Sequence, residues 1–212
     1  MTPIAREVCY ACYRPKTSCV CQQITPLQTR TKFVILMHPK EYRKTKNTTG
    51  HLTHKSLPNS ALYVGIDFTK HPKINALLHD ETNECFLLYP KENSIKLNHE
   101  KIHSQKNIVI FIIDSTWACS RKILRENSFF ENMKTISFEH NLRSAFHIKT
   151  QPNEFCLSTI ESTLCLLELL NQQKLEVLEE DQLKEFLSPF NAMVDYQLMC
   201  ARNNKIRYKE PS

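Results

Sequence analysis

A chain of 212 residues, 41% hydrophobic and 24% charged, is long enough for one substantial α/β domain with a small appendage. Its two glycines, Gly50 and Gly65, stand far apart, which excludes a glycine-rich loop for a dinucleotide or a phosphate. No apolar run approaches a membrane span, and MTPIAREVCY lacks a signal-peptide core, so a soluble cytoplasmic protein is expected.

Between Arg30 and Lys55 seven basic residues face the single acid Glu41, which equals the whole net excess of +6. Such a patch suits a phosphate backbone. It is also what an ordinary solvated, lysine-rich surface looks like.

Residues 9 to 21 read CYACYRPKTSCVC, a C-x2-C-x6-C-x-C spacing. Cys9, Cys12, Cys19 and Cys21 are four thiolates on short loops, the donor set of closed, tetrahedral zinc, with redox or incidental cysteines as the alternative. A closed shell makes that zinc structural. Cys85, Cys119, Cys156, Cys165 and Cys200 are scattered in apolar segments and read as buried small hydrophobes. The expected organisation is a zinc-binding module over 1–29 and an α/β domain over 30–212.

Thr31 to His38, TKFVILMH, reads as a strand that stops at Pro39, which cannot donate to a ladder. His38 suits a satisfied structural histidine or a base. Lys44 to His54 is a polar loop leading into a short helix before Pro58. Ala61 to Ile66 and Glu84 to Pro90 read as strands, with a short helix near Pro72 to Leu78 between them. Residues 91 to 106 are polar and lysine-rich and read as a surface loop or a short excursion before the central strand.

Ile108 to Ile113 is an unbroken apolar run of β-branched and aromatic residues, as expected of a parallel strand buried on both faces. It ends at Asp114, with Ser115 as the expected N-cap of the next helix. Asp114 then stands at the carboxyl end of a central strand, where open α/β sheets place their ligands, or merely caps the helix. Trp117 suits either the core or a stacking surface. Lys134 to Phe138 gives another short strand. Ser158-x-x-Glu161 fits a capping box before the apolar helix STLCLLELL, and two helical segments split at Ser188-Pro189 close the chain. Strands alternating with helices indicate an α/β fold with a mainly parallel sheet and flanking helices.

Four stretches, in order, resemble the DTW-domain family, the tRNA-uridine aminocarboxypropyltransferases. They are the cysteine cluster with Arg14-Pro15, His38-Pro39-Lys40-Glu41, Asp114-Ser115-Thr116-Trp117, and Gln151-Pro152 followed by Leu157-Ser158-Thr159-x-Glu161. The Asn47-Thr48-Thr49-Gly50 turn is similar too, although His51 stands where the family more often has a basic residue. The resemblance implies a SPOUT-like fold, a class whose relatives include knotted chains. It also implies transfer of the 3-amino-3-carboxypropyl group of S-adenosylmethionine to N3 of a tRNA uridine, releasing methylthioadenosine.

On that resemblance Asp114 is the catalytic residue, as proton acceptor or ammonium anchor. Ser115, Thr116, Trp117, Leu157, Ser158, Thr159 and Glu161 form the cofactor site, with the amides at Ser158 and Thr159 suited to the carboxylate. Arg43, Lys44, Lys46, Arg121 and Lys122 contact the tRNA. A zinc-containing RNA-binding protein without catalysis, or a SPOUT-type RNA methyltransferase, are the alternatives.

Overall fold

The computed structural model describes residues 7–12, 14–43, 48–140, 143–146 and 156–203. Lys44, Lys46, Asn47, Gln151, Pro152 and the basic residues beyond Arg202 lie outside them. The strands are β1 (Lys32–Met37), β2 (Ser60–Val64), β3 (Asn83–Leu88), β4 (Ile95–Lys96), β5 (Asn107–Asp114) and β6 (Lys134–Ser137). The helices are α1 (Pro39–Tyr42), α2 (Thr49–Ser56), α3 (Pro72–His79), α4 (Trp117–Glu126), α5 (Thr159–Gln172), α6 (Glu180–Phe186) and α7 (Ser188–Asn203).

The six strands form one sheet in the order β2-β1-β5-β3-β6-β4, and all their pairings are parallel. β5 fills the gap between the half built from β1 and β2 and the half built from β3, β6 and β4. The apolar run divides its side chains between two cores. Ile108, Ile110 and Ile112 pack on one face with Leu52 of α2, Leu166 and Leu170 of α5, and Phe186 and Phe190 of α6 and α7. Val109 and Phe111 pack on the other with Ile74 of α3, Ile123 of α4 and Phe130. Burial on both faces is why this strand carries no polar alternation.

Three expectations change. The cap of α4 is Thr116, whose Oγ1 accepts from the Cys119 amide at 3.4 Å, whereas the Ser115 hydroxyl donates to the Thr116 carbonyl. Trp117 therefore opens the helix. β4 arises within the stretch expected to be loop; its two residues pair with Ile136 and Ser137, and no two-residue strand has a readable period. Of the scattered cysteines only Cys165 is buried outright; Cys85, Cys119, Cys156 and Cys200 are partly exposed. Among the described residues no helix is long and apolar enough to cross a membrane.

Candidate active site

Because every strand runs the same way, all the strand ends share one edge of the sheet. There the His38 amide donates to the Asp114 carbonyl at 3.0 Å, which carries the pairing of β1 and β5 to their last residues. His38 caps α1: its Nδ1 accepts from the Lys40 amide at 3.1 Å, leaving the ring proton on Nε2. Burial first, then the charges of Lys40 and Lys122, lower the His38 pKa. A buried neutral histidine in a capping role is the structural reading of that residue.

Asp114 is 7% exposed. Its Oδ1 accepts a hydrogen bond from the Thr159 hydroxyl at 2.6 Å, tying the end of β5 to the first residue of α5. Helix α2 closes on the carboxylate from another side. A β-carbon at Gly50 would stand 2.7 Å from Asp114 Cγ, nearer still to Oδ2, and 3.0 Å from Met37 Cε. The absent side chain at position 50 is what lets the first turn of α2 reach the carboxylate.

Beside this junction lies a cavity of ≈ 280 Å³, close to the lower end of the usual ligand-pocket range of roughly 300–1,000 Å³. Leu88, Pro90, Ile112, Phe138 and Leu157 give it apolar walls, and Ser115, Thr159, Ser162 and His140 add polar groups. Tyr89 and Trp117 meet edge to face on its wall, ring centroids 5.9 Å apart. Trp117 is 45% exposed, so it belongs to this wall and not to the core.

Of the residues expected here, Ser115, Trp117, Leu157 and Thr159 line the cavity together. Thr116, Ser158 and Glu161 stand behind it and build the two helix starts. Glu161 completes the capping box by accepting the Ser158 amide at 2.8 Å and the Ser158 hydroxyl at 2.6 Å. It also accepts from the Ser144 hydroxyl at 2.7 Å and the Ala145 amide at 2.8 Å. Four donors occupy its carboxylate, which holds the 144–145 segment against α5. Asp114 itself is not part of the cavity wall.

Arg43, Arg121 and Lys122 are exposed. The charges of Lys40 on α1 and Lys122 on α4 both act on His38, which stands at the edge where β1 and β5 finish.

The sulfur atoms of Cys9, Cys12, Cys19 and Cys21 all lie within 4.8 Å of one another, with Cys9–Cys21 at 3.9 Å and Cys12–Cys19 at 3.7 Å. Tetrahedral zinc with bonds of about 2.3 Å requires sulfurs about 3.8 Å apart. The amides of Cys12 and Ala11 lower the Cys9 thiol to about 6, while burial and the neighbouring thiols push Cys21 up to about 12. Arg14, between the two pairs, is 3% exposed. Its Nη2 meets Met193 Sδ on α7 at 3.2 Å, and among the described residues its Nη1 has no hydrogen-bond partner. A buried guanidinium needs an opposing charge, which a metal ion on four thiolates, net dianionic for a divalent ion, supplies. The residues fit a metal.

A domain model described as the DTW domain matches residues 6–198. The chain belongs to the DTW-domain family. It is 27% identical over 197 residues to tRNA-uridine aminocarboxypropyltransferase 2 of Mus musculus and 28% identical over 200 residues to that of Macaca fascicularis. Each match covers 91% of this chain and 64% of the relative, so the chain spans less than two thirds of the length of these curated relatives. The Drosophila melanogaster protein of the same name is 28% identical over 203 residues, covering 92% of this chain and 77% of its own length. No solved structure matches the chain.

In this DTW domain the motif residues take separate tasks. Asp114 ties elements together, Ser115 and Trp117 line the cavity, and Thr116 starts the helix. Tyr89, Pro90, Phe138 and His140, which the motifs do not mark, come from the ends of β3 and β6. Their signal was positional: in a parallel sheet every strand end beside the central one faces the ligand edge.

Proposed function

We propose that the protein transfers the 3-amino-3-carboxypropyl group of S-adenosylmethionine to N3 of a uridine in tRNA, releasing methylthioadenosine. The observation that carries this reading is the cavity at the strand ends, walled by Trp117 and Tyr89 and backed by the Asp114–Thr159 hydrogen bond. The family and the names of its relatives supply the reaction class. The co-substrate brings the electrophilic methylene and the leaving group. The chain's task is to orient the amino-acid arm toward the base and to ease the loss of the N3 proton.

In this reading Ser115, Trp117, Leu157 and Thr159 contact the co-substrate, and Thr116, Ser158 and Glu161 fix the helix starts that hold them. Arg43, Lys44, Lys46, Arg121 and Lys122 take the tRNA backbone. A zinc module over 1–29 supports a catalytic domain over 30–212, with the cytoplasm as the compartment. Trp117 is the sole tryptophan of the chain, so its fluorescence reports on the cavity. Titration with S-adenosylmethionine is expected to change it saturably, and an unchanged spectrum contradicts the reading.

Two further results are expected. The purified protein holds about one zinc per chain, because four thiolates fill one tetrahedral shell. The double substitution Cys9→Ser and Cys12→Ser loses metal and thermal stability together, and full zinc occupancy in that variant rules the site out. Affinity for tRNA falls steeply with salt. Replacing Arg43, Arg121 and Lys122 with alanine flattens the log–log slope by about one unit per phosphate contact removed. An unchanged slope moves the RNA face elsewhere.

A further inference from the structure

We infer that the Thr159 hydroxyl is the group that meets the reacting ligand, as an acceptor of an N–H hydrogen bond, and that Asp114 acts on the ligand through it. The inference rests on the functional reading above and adds a residue role to it.

Exposure separates the two residues. Asp114 is buried and absent from the cavity wall, whereas Thr159 is partly exposed and forms part of that wall. A ligand in the cavity therefore reaches the carboxylate by way of Thr159. The hydroxyl proton is already committed to Asp114 Oδ1 at 2.6 Å. A threonine hydroxyl has one hydrogen and two lone pairs, so what remains for the cavity is acceptor capacity alone.

The arrangement is rigid on every side. Thr159 opens α5, its carbonyl accepts from the Thr163 hydroxyl at 2.7 Å, and the preceding residue is fixed by Glu161. Gly50 backs the carboxylate from α2. Held hydroxyl and held carboxylate give a preorganised acceptor aimed at one place, the arrangement that stabilises developing positive charge or accepts a proton.

The ligand group it suits is an N–H donor. Two sources exist in the proposed reaction, the ammonium of the amino-acid arm and the N3–H of uracil. If uracil is the source, the N3 proton passes to the Thr159 oxygen as the hydroxyl's own proton passes to Asp114. The N3 electron pair then forms the bond to the methylene carbon. The carbon–sulfur bond breaks with its electrons going to sulfur, which leaves as the neutral thioether. Asp114 returns its proton to solvent through Thr159 when products depart. If the ammonium is the source, no proton moves and the pair orients the arm.

The test uses Thr159→Val, which keeps the shape and removes the hydroxyl, and Thr159→Ser, which restores it. S-adenosylmethionine affinity, tRNA affinity, melting temperature and single-turnover rate are measured on each. A rate lowered by about 10²-fold in Thr159→Val, with S-adenosylmethionine affinity held and the serine variant near wild type, supports the uracil source. S-adenosylmethionine binding weakened by about 10-fold or more, with tRNA affinity held, supports the ammonium source. If the valine variant does not fold, Thr159→Ala carries the same comparison. A hydroxyl-free variant with wild-type rate and wild-type S-adenosylmethionine affinity overturns the inference. Wild-type protein that binds neither S-adenosylmethionine nor tRNA overturns the functional reading as well, a result distinct from an inert substitution in a working enzyme.

Discussion

Gly50→Ala is expected to destabilise the protein and to abolish most of the proposed transfer activity. The sign is informative because two effects oppose each other. Gly50 is the second residue of α2, and none of the glycines has a positive φ, so alanine fits the backbone there. Helix propensity alone would then favour alanine by up to about 1 kcal/mol. Against this, the new methyl group would overlap the Asp114 carboxylate and press on Met37, both of them buried. Overpacking of that kind costs typically about 1–3 kcal/mol. The carboxylate is the head of a short side chain anchored at the end of the central strand, so it cannot swing clear without breaking its bond to Thr159. A fall in melting temperature with a large loss of rate is the expected result. A melting temperature equal to or above wild type would mean that α2 does not close on Asp114.

Asp114→Asn is expected to slow transfer by about 10²-fold or more, the usual scale for losing a positioned proton acceptor. The amide oxygen of asparagine still accepts from the Thr159 hydroxyl, so the tie between β5 and α5 survives in form. What is lost is the negative charge, and with it the capacity to take the Thr159 proton or to oppose an ammonium. A role confined to tying helices together predicts a rate near wild type in this variant. A role in the chemistry predicts a folded protein, still melting cooperatively, whose rate has collapsed. Loss of S-adenosylmethionine affinity as the main effect identifies the ammonium as the partner of the pair.

The fold was legible where burial on both faces suppressed polar alternation. β5 and β1 could be read because each is an apolar run with a sharp stop, at Asp114 and at His38-Pro39, and the start of α5 because Ser158-x-x-Glu161 precedes an apolar helix. The capping box at Ser158 and Glu161 appeared as expected, since its chemistry is local. The cap of α4 did not, because Ser115 and Thr116 are both competent and only the chain's turn after β5 decides between them. The site was half legible. The motifs marked Asp114 and Thr159 separately, but their hydrogen bond spans 45 residues and no local pattern encodes it. The same holds for Gly50, whose scarcity was visible while its reason, the carboxylate against it, was not. Tyr89, Pro90, Phe138 and His140 follow β3 and β6, whose ends only the sheet order brings to the same edge as the end of β5.

The proposed function stands on the identity of the group transferred. Unmodified tRNA and S-adenosylmethionine are incubated with the protein, the RNA is digested to nucleosides, and nucleosides and small-molecule products are identified by mass. The expected products are a uridine carrying one aminocarboxypropyl group and methylthioadenosine. A methylated nucleoside with S-adenosylhomocysteine, or tRNA bound tightly and returned unmodified, would contradict it.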